Sequence, residues 1–210
     1  MPCARRSYGR AGHGDKHREI VSLPTCIRGA PRDVSPAAEI RLREARADEL
    51  AALSELCLRS KAVWGYDAAF MEACRRELTL TGEELGRTLV RVAEHEGRPI
   101  GLCQIAVEGP NADLAKLFVE PSELGRGCGR VLFLWAVATA RDAGARRMTI
   151  DADPGAVPFY VRMGARSAGV APSGSIPGRV LPRLEVALCP ICDISHAGAG
   201  FEGEQQDEDV

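Results

Sequence analysis

Apolar and charged residues alternate at Ile40-Arg41-Leu42-Arg43, which predicts a short strand at the head of a patterned region. Asp48 then stands where it can cap or open a helix, and Leu50, Leu53 and Cys57 recur on one helical face. The pattern breaks at Trp64-Gly65. A second helix is predicted from Asp67, with Phe70, Met71, Cys74 and Leu78 turned inward. Strand-like runs over 88–94 and 99–107 meet around Glu96-Gly97, a hairpin turn, and a third over 114–119 follows Gly109-Pro110-Asn111, so these three should pair antiparallel. Val131, Leu132, Trp135 and Ala138 mark a long amphipathic helix over 129–143 that Gly144 ends from its C′ position. A strand follows over 147–152. Proline is tolerated only in the first turn of a helix, so Pro158 places the next helix start near Pro154-Gly155; that helix ends at Gly164. Runs over 165–170 and 181–188 complete the order β, two α, three β, α, β, α, β, β. The crossover from strand 114–119 through a helix to strand 147–152 makes parallel neighbours. The expectation is an α/β fold with a mixed, mostly antiparallel sheet of six or seven strands and about four flanking helices.

The ends of the chain read differently. Residues 1–38 are rich in Arg, Gly and Pro and show neither helical nor strand period, so disorder is expected there. A misplaced start codon or an organelle-targeting segment would give the same letters. Residues 189–210 carry six acidic and no basic side chains and are expected to form a solvated tail. The domain is thereby assigned to 39–188, where basic and acidic residues balance at 20 each. That balance argues against nucleic-acid binding, which needs a concentrated Lys/Arg face. The longest apolar run, Val131 to Ala138, falls well short of the roughly 18–20 residues that cross a bilayer. With no apolar leader either, the expected compartment is the cytoplasm, where the eight cysteines stay mostly reduced. Cys57, Cys74 and Cys103 sit in apolar patterns as small buried hydrophobes. Cys189 and Cys192 form a CxxC that no second pair completes into a zinc site, and no metal is expected.

Candidate chemistry concentrates in Leu124-Gly125-Arg126-Gly127-Cys128-Gly129-Arg130, which joins a strand to a helix. Alternate glycines let the backbone approach a ligand closely, and unpaired amides at a helix start, with the positive end of the macrodipole behind them, can cradle a pyrophosphate. Arg126 and Arg130 add charge. A P-loop would need Lys then Ser/Thr after the last glycine, where Arg130-Val131 stand; the Rossmann spacing fails as well, and its strand should open the fold rather than stand fourth.

Leu117-Phe118-Val119-Glu120-Pro121 followed by Gly125-Arg126-Gly127-Cys128-Gly129 and a helix resembles the main coenzyme A motif of the GNAT (Gcn5-related N-acetyltransferase) superfamily. The segment from Asp153-Pro154-Gly155 through Phe159-Tyr160-Val161-Arg162-Met163-Gly164-Ala165 resembles that family's second signature. The element order over 39–188 is similar too, and the likeness is sharpest from 114 to 165. Leu124 departs from the family's usual Gln or Arg, and Gly155 from its common Asn. The resemblance implies an acetyl-coenzyme A-dependent N-acetyltransferase acting by direct transfer to a small-molecule or protein amine. A non-catalytic acyl-coenzyme A sensor of the same fold is the alternative. Dimerisation is common in that family.

The resemblance also distributes roles. In related enzymes the fourth strand splays from the fifth at a bulge and the pantetheine arm pairs with it, an edge that Leu117, Phe118 and Val119 would supply. The Val119 amide is the implied oxyanion donor. Tyr160 stands at the family tyrosine that protonates the departing thiolate, a proton its phenol can supply because its ordinary pKa of about 10 exceeds that of a thiol. Asp113 lies four residues before Leu117, where some relatives place a catalytic glutamate; Glu108 is the second candidate base. Ser60-Lys61-Ala62-Val63-Trp64-Gly65-Tyr66 falls in the region that lines the acceptor groove, with Trp64 and Tyr66 as its aromatic wall, and the loop Ser173–Arg179 is placed to close it.

Overall fold

A computed structural model of the chain describes residues 39–188. The expected disordered extension, the acidic tail and the Cys189/Cys192 pair lie outside these residues.

Seven strands form one sheet in the order β1-β2-β3-β4-β5-β7-β6: β1 (Arg41–Glu44), β2 (Leu89–His95), β3 (Arg98–Glu108), β4 (Asn111–Val119), β5 (Arg147–Asp151), β6 (Arg166–Pro172) and β7 (Val180–Ala187). Every neighbouring pair is antiparallel except β4 and β5, which the crossover makes parallel. Helices α1 (Leu50–Ala62), α2 (Ala68–Leu78) and α3 (Gly82–Arg87) follow β1; α4 (Cys128–Asp142) and α5 (Val157–Arg162) flank β5. Apolar side chains divide between two cores. One gathers Leu53, Cys57, Cys74 and Leu78 of α1 and α2 with Val92 and Leu102, and the other gathers Leu132 and Phe133 of α4 and Tyr160 of α5 with Cys103, Ile105, Met148, Ile150 and Leu184. Leu102 and Cys103 are adjacent in β3 and enter opposite cores, as the alternation of a strand requires.

Four local features correct the sequence reading. Asp48 does not cap α1: its side chain is 80% exposed, and it lies in a 3₁₀ turn, Ala47–Glu49, that leads into the helix. Glu49 holds the junction instead, because its carboxylate accepts from Arg43 Nη1 (2.6 Å) and the Arg46 amide (2.9 Å). A fifth helix, α3, adds to the four expected, and Thr81 and Glu84 cap it reciprocally in a Thr-x-x-Glu box. The buried stripe of α4 runs through Cys128, Leu132, Phe133, Ala136 and Ala140; Ala138 is exposed, and Trp135 is half-buried under Arg91, whose guanidinium stands 5.2 Å from the ring centre. The fourth strand opens at Asn111 rather than Leu114, which brings Asp113 into the ladder opposite Ala106 and Thr149. Elsewhere the predicted punctuation holds: Asp67 caps α2 by accepting from the Phe70 amide (2.8 Å), and Gly65, Gly144 and Gly164 all take positive φ where elements end.

Candidate active site

The sheet opens along β4. That strand pairs with β5 only through Asn111, Ala112 and Asp113, opposite Arg147, Met148 and Thr149. Its ladder with β3 shifts between Gln104 and Ile105, whose partners are Lys116 and Leu114, so Ala115 is the extra residue of a bulge. Beyond the bulge β4 continues to Val119 without β5 beside it. Successive amides of a strand point to opposite edges. The Glu120 amide donates to Ile100 O (2.8 Å) on the β3 side, so the Phe118 amide also faces β3, while those of Leu117 and Val119 face the gap. Val119 N–H donates to the hydroxyl of Ser60, on α1, at 3.2 Å, so the amide expected to serve the oxyanion already has an acceptor and Leu117 N–H is the donor left facing the gap.

A cleft of about 700 Å³ follows this gap. Leu117, Phe118 and Val119 form one wall, and Leu124, Gly125, Gly127, Gly129 and Arg130 form the end where the glycine turn meets α4. Gly125 and Gly127 have φ of +77° and +91°, a region that L side chains enter only with strain, so these two positions set the path of the turn. The first helical hydrogen bond of α4 is Val131 N to Gly127 O, which leaves the preceding amides of the helix start without an intrahelical acceptor. Those donors, the dipole of a 15-residue helix and Arg130 suit an anion. Two predicted contacts do not reach the cleft by their side chains: Arg126 turns out to Glu123 (3.4 Å), and Cys128 is buried with its sulfur 3.9 Å from Ile100 O.

Tyr160 lines the middle of the cleft from α5. Its ring packs at 5.0 Å from Phe159 and 5.8 Å from Phe133, and among the described residues its hydroxyl has no hydrogen-bond partner. Burial raises its phenol well above the ordinary value of 10. Asp113 stands apart from the residues that line the cleft, at the last paired position before the strands part; the residue is exposed overall, while its carboxyl is partly shielded beside Asp151 and Arg183. Partial desolvation and then the Asp151 charge raise its carboxyl above the usual range, against a smaller lowering by Arg183.

At the far end Trp64 lines the cleft, whereas Tyr66 turns behind it, stacked on Phe70 at 4.0 Å. Tyr66 Oη lies 3.0 Å from both oxygens of Asp153 and accepts from Arg179 Nη2 (2.7 Å). Lys61 Nζ and Arg179 Nη2 each approach Asp153 Oδ2 at 3.4 Å. The loop before β7 packs at this end, where Arg179 reaches Asp153 and Ser175 donates to Glu77, but none of residues 173–179 lines the cleft. Lys116, half of a buried pair with Gln104 Oε1 (2.8 Å) that extends to Glu84 (3.3 Å), also reaches the cleft. No role for Ser60, Asp153 or Lys116 was assigned from sequence. Ser60 and Asp153 lie inside segments that the resemblance had singled out, but their partners are 59 and 87 positions away.

Comparison with known proteins gives the family and the fold. The sequence signature of the acetyltransferase (GNAT) family matches residues 50–165, more than half of the chain, and the chain belongs to that family. Its fold is similar to that of the PaiA N-acetyltransferase from Thermoplasma acidophilum, solved in complex with coenzyme A, with 19% identity and a TM-score of 0.59 over 71% of this chain and 99% of that one. A GCN5-related N-acetyltransferase structure from Rhodopseudomonas palustris gives 23% identity and 0.59 over 71% and 96%, and a GNAT-family acetyltransferase from Staphylococcus aureus Mu50 gives 15% and 0.57 over 72% and 100%. No curated protein matches the chain. Among the described residues no helix is long and apolar enough to cross a membrane.

Proposed function

We propose that the protein is an acetyl-coenzyme A-dependent N-acetyltransferase that passes the acetyl group directly to a primary amine held in the same cleft. One observation carries the reading: β4 parts from β5 between the glycine-rich start of α4 and a tyrosine hydroxyl without a partner among the described residues, with the Leu117 N–H turned into the gap and the Val119 N–H held by Ser60. The donor set fits the cofactor. Amides at the start of α4, with Arg130, would hold the diphosphate, the free edge of β4 would hold the amide-bearing arm, and a solved protein of the same fold contains coenzyme A. When bound, acetyl-coenzyme A supplies an acetyl thioester.

The chain's own residues would then act as follows. The Leu117 amide donates to the carbonyl oxygen as negative charge grows on it, and Ser60 holds the neighbouring Val119 amide. As the amine nitrogen bonds to the carbonyl carbon and the carbon–sulfur bond breaks, Tyr160 delivers its phenolic proton to the sulfur. Because burial raises this phenol, it stays protonated across the working range and remains a donor. The proton lost by the amine passes through water to Asp113, whose raised carboxyl is a better acceptor than an ordinary aspartate. The test is release of free thiol from acetyl-coenzyme A on addition of an amine panel, with the N-acetyl product identified by mass. Thiol release that no amine accelerates would refute the reading.

A further inference from the structure

We propose that the acceptor carries a carboxylate beside its amine, and that Lys61 receives it. This deepens the transferase reading and rests on it. Charge does not balance in a partly buried cluster at the acceptor end. Asp153 is approached by two cations, Lys61 and Arg179, and the three side chains are only 12%, 14% and 17% exposed for Asp153, Lys61 and Arg179. Among the described residues neither cation has another carboxylate within 4.0 Å, so this partly buried cluster holds one positive charge in excess. Cation–π contacts spread some of that charge over Tyr66 and Phe70, with Lys61 at 5.7 and 5.9 Å and Arg179 at 5.1 and 4.8 Å from the ring centres, but they supply no counter-charge.

The excess falls on Lys61. Arg179 is held twice, by Tyr66 Oη at 2.7 Å and by Asp153, and does not line the cleft. Lys61 does line it, meets Asp153 only at 3.4 Å, and follows Ser60, which touches the reacting strand. Asp151 is paired with Arg183 at 2.7 and 2.8 Å and Lys116 with Glu84 and Gln104, while Glu77, which accepts from the Ser175 hydroxyl and has no cation within 4.0 Å among the described residues, is exposed and keeps its charge in water outside the partly buried cluster. A cation short of a partner in a half-buried wall selects an anion, because leaving it unmatched away from water is costly. An amino acid, whose carboxylate and amine belong to one small molecule, places the first on Lys61 and the second at the thioester.

The test compares kcat/KM for matched acceptors with and without the carboxylate: L-phenylalanine against 2-phenylethylamine and phenylalaninamide, and L-leucine against 3-methylbutylamine, with O-phosphoethanolamine as a phosphate-bearing arm. The wild type should prefer the carboxylate forms by roughly 10- to 100-fold. Lys61→Gln should bring each pair within about threefold while the KM for acetyl-coenzyme A stays put, and Lys61→Arg should keep the preference. Arg179→Gln, outside the cleft, should also abolish it, by leaving Lys61 as the sole cation on Asp153. Circular dichroism guards against misfolding, and Lys61→Arg keeps the test decisive if the glutamine variant is unstable. Equal rates for both members of each pair in the wild type, a preference that survives Lys61→Gln, or phosphoethanolamine outpacing the amino acids would overturn this inference alone. Transfer to no amine of either kind would overturn it together with the transferase reading.

Discussion

The indole of Trp64 lies against Gly155 so closely that a β-carbon there would stand 2.4 Å from its Cζ3 and 2.5 Å from its Cε3. Gly155 is the position where the family commonly opens its last helix with Asn, and here the missing side chain is the seat of an aromatic ring on the cleft wall. Gly155→Ala should therefore displace Trp64, with a cost of about 1–3 kcal/mol if the ring stays and a lost acceptor wall if it leaves. We expect acceptor kcat/KM to fall about tenfold with little change in acetyl-coenzyme A affinity. A double-mutant cycle checks the cause: on a Trp64→Ala background the glycine substitution should cost almost nothing more. The chain has two tryptophans, so Trp64 fluorescence on a Trp135→Phe background reports the displacement directly.

Tyr160→Phe removes one oxygen and leaves the packing against Phe133 and Phe159 intact. Loss of a general acid should lower kcat by about 10²- to 10⁴-fold with the fold preserved. The raised phenol has a signed consequence. Its protonated form is favoured in the folded state, so that contribution to stability is present below the ordinary value of about 10 and is lost as pH rises through the folded value. Wild-type activity should accordingly show no alkaline loss from this group up to about pH 10, which a pH–rate profile will display.

Much of this was legible in the letters. Strand and helix order follows from apolar period and from Gly and Pro punctuation, and the cleft end at 124–130 from three glycines before a helix. What the sequence hid depends on distance or on brevity. Helix α3 is only six residues long, too short for a periodic face, and only its Thr81/Glu84 cap betrays it. Asp48 and Glu49 are equivalent in letters; the choice between them is made by Arg43, across the turn on β1. The Lys61–Tyr66–Asp153–Arg179 cluster joins three segments, with Tyr66 lying 87 positions from Asp153 and 113 from Arg179, so no local window contains it.

Asp113 supplies a test in which activity and stability move in different directions. Its carboxyl is raised in the folded state, so the folding contribution it makes is present below the ordinary carboxylate value of about 4 and is lost as pH rises through the folded value. At neutral pH the charge works against the fold. Asp113→Asn should melt no lower than wild type at pH 7, yet lose about 10²-fold in kcat/KM. With a weakly basic acceptor amine, uncharged throughout, the wild-type acidic limb should lie above the usual carboxylate range and vanish in the variant. Thermal melts and the two profiles decide this.

Most depends on the amides of Gly125 and of Gly127 to Arg130 binding the diphosphate of coenzyme A beside the open edge of β4, the Arg126 amide being held by Glu123 O at 3.3 Å. Titration calorimetry of coenzyme A measures it most directly, with Gly127→Glu as the comparison, since φ of +91° makes any side chain strained there and the carboxylate repels the ligand. The account predicts saturable one-to-one binding to the wild type and at least about tenfold weaker binding to a folded Gly127→Glu. No heat of binding to the wild type, or equal affinity in the two proteins, would contradict it.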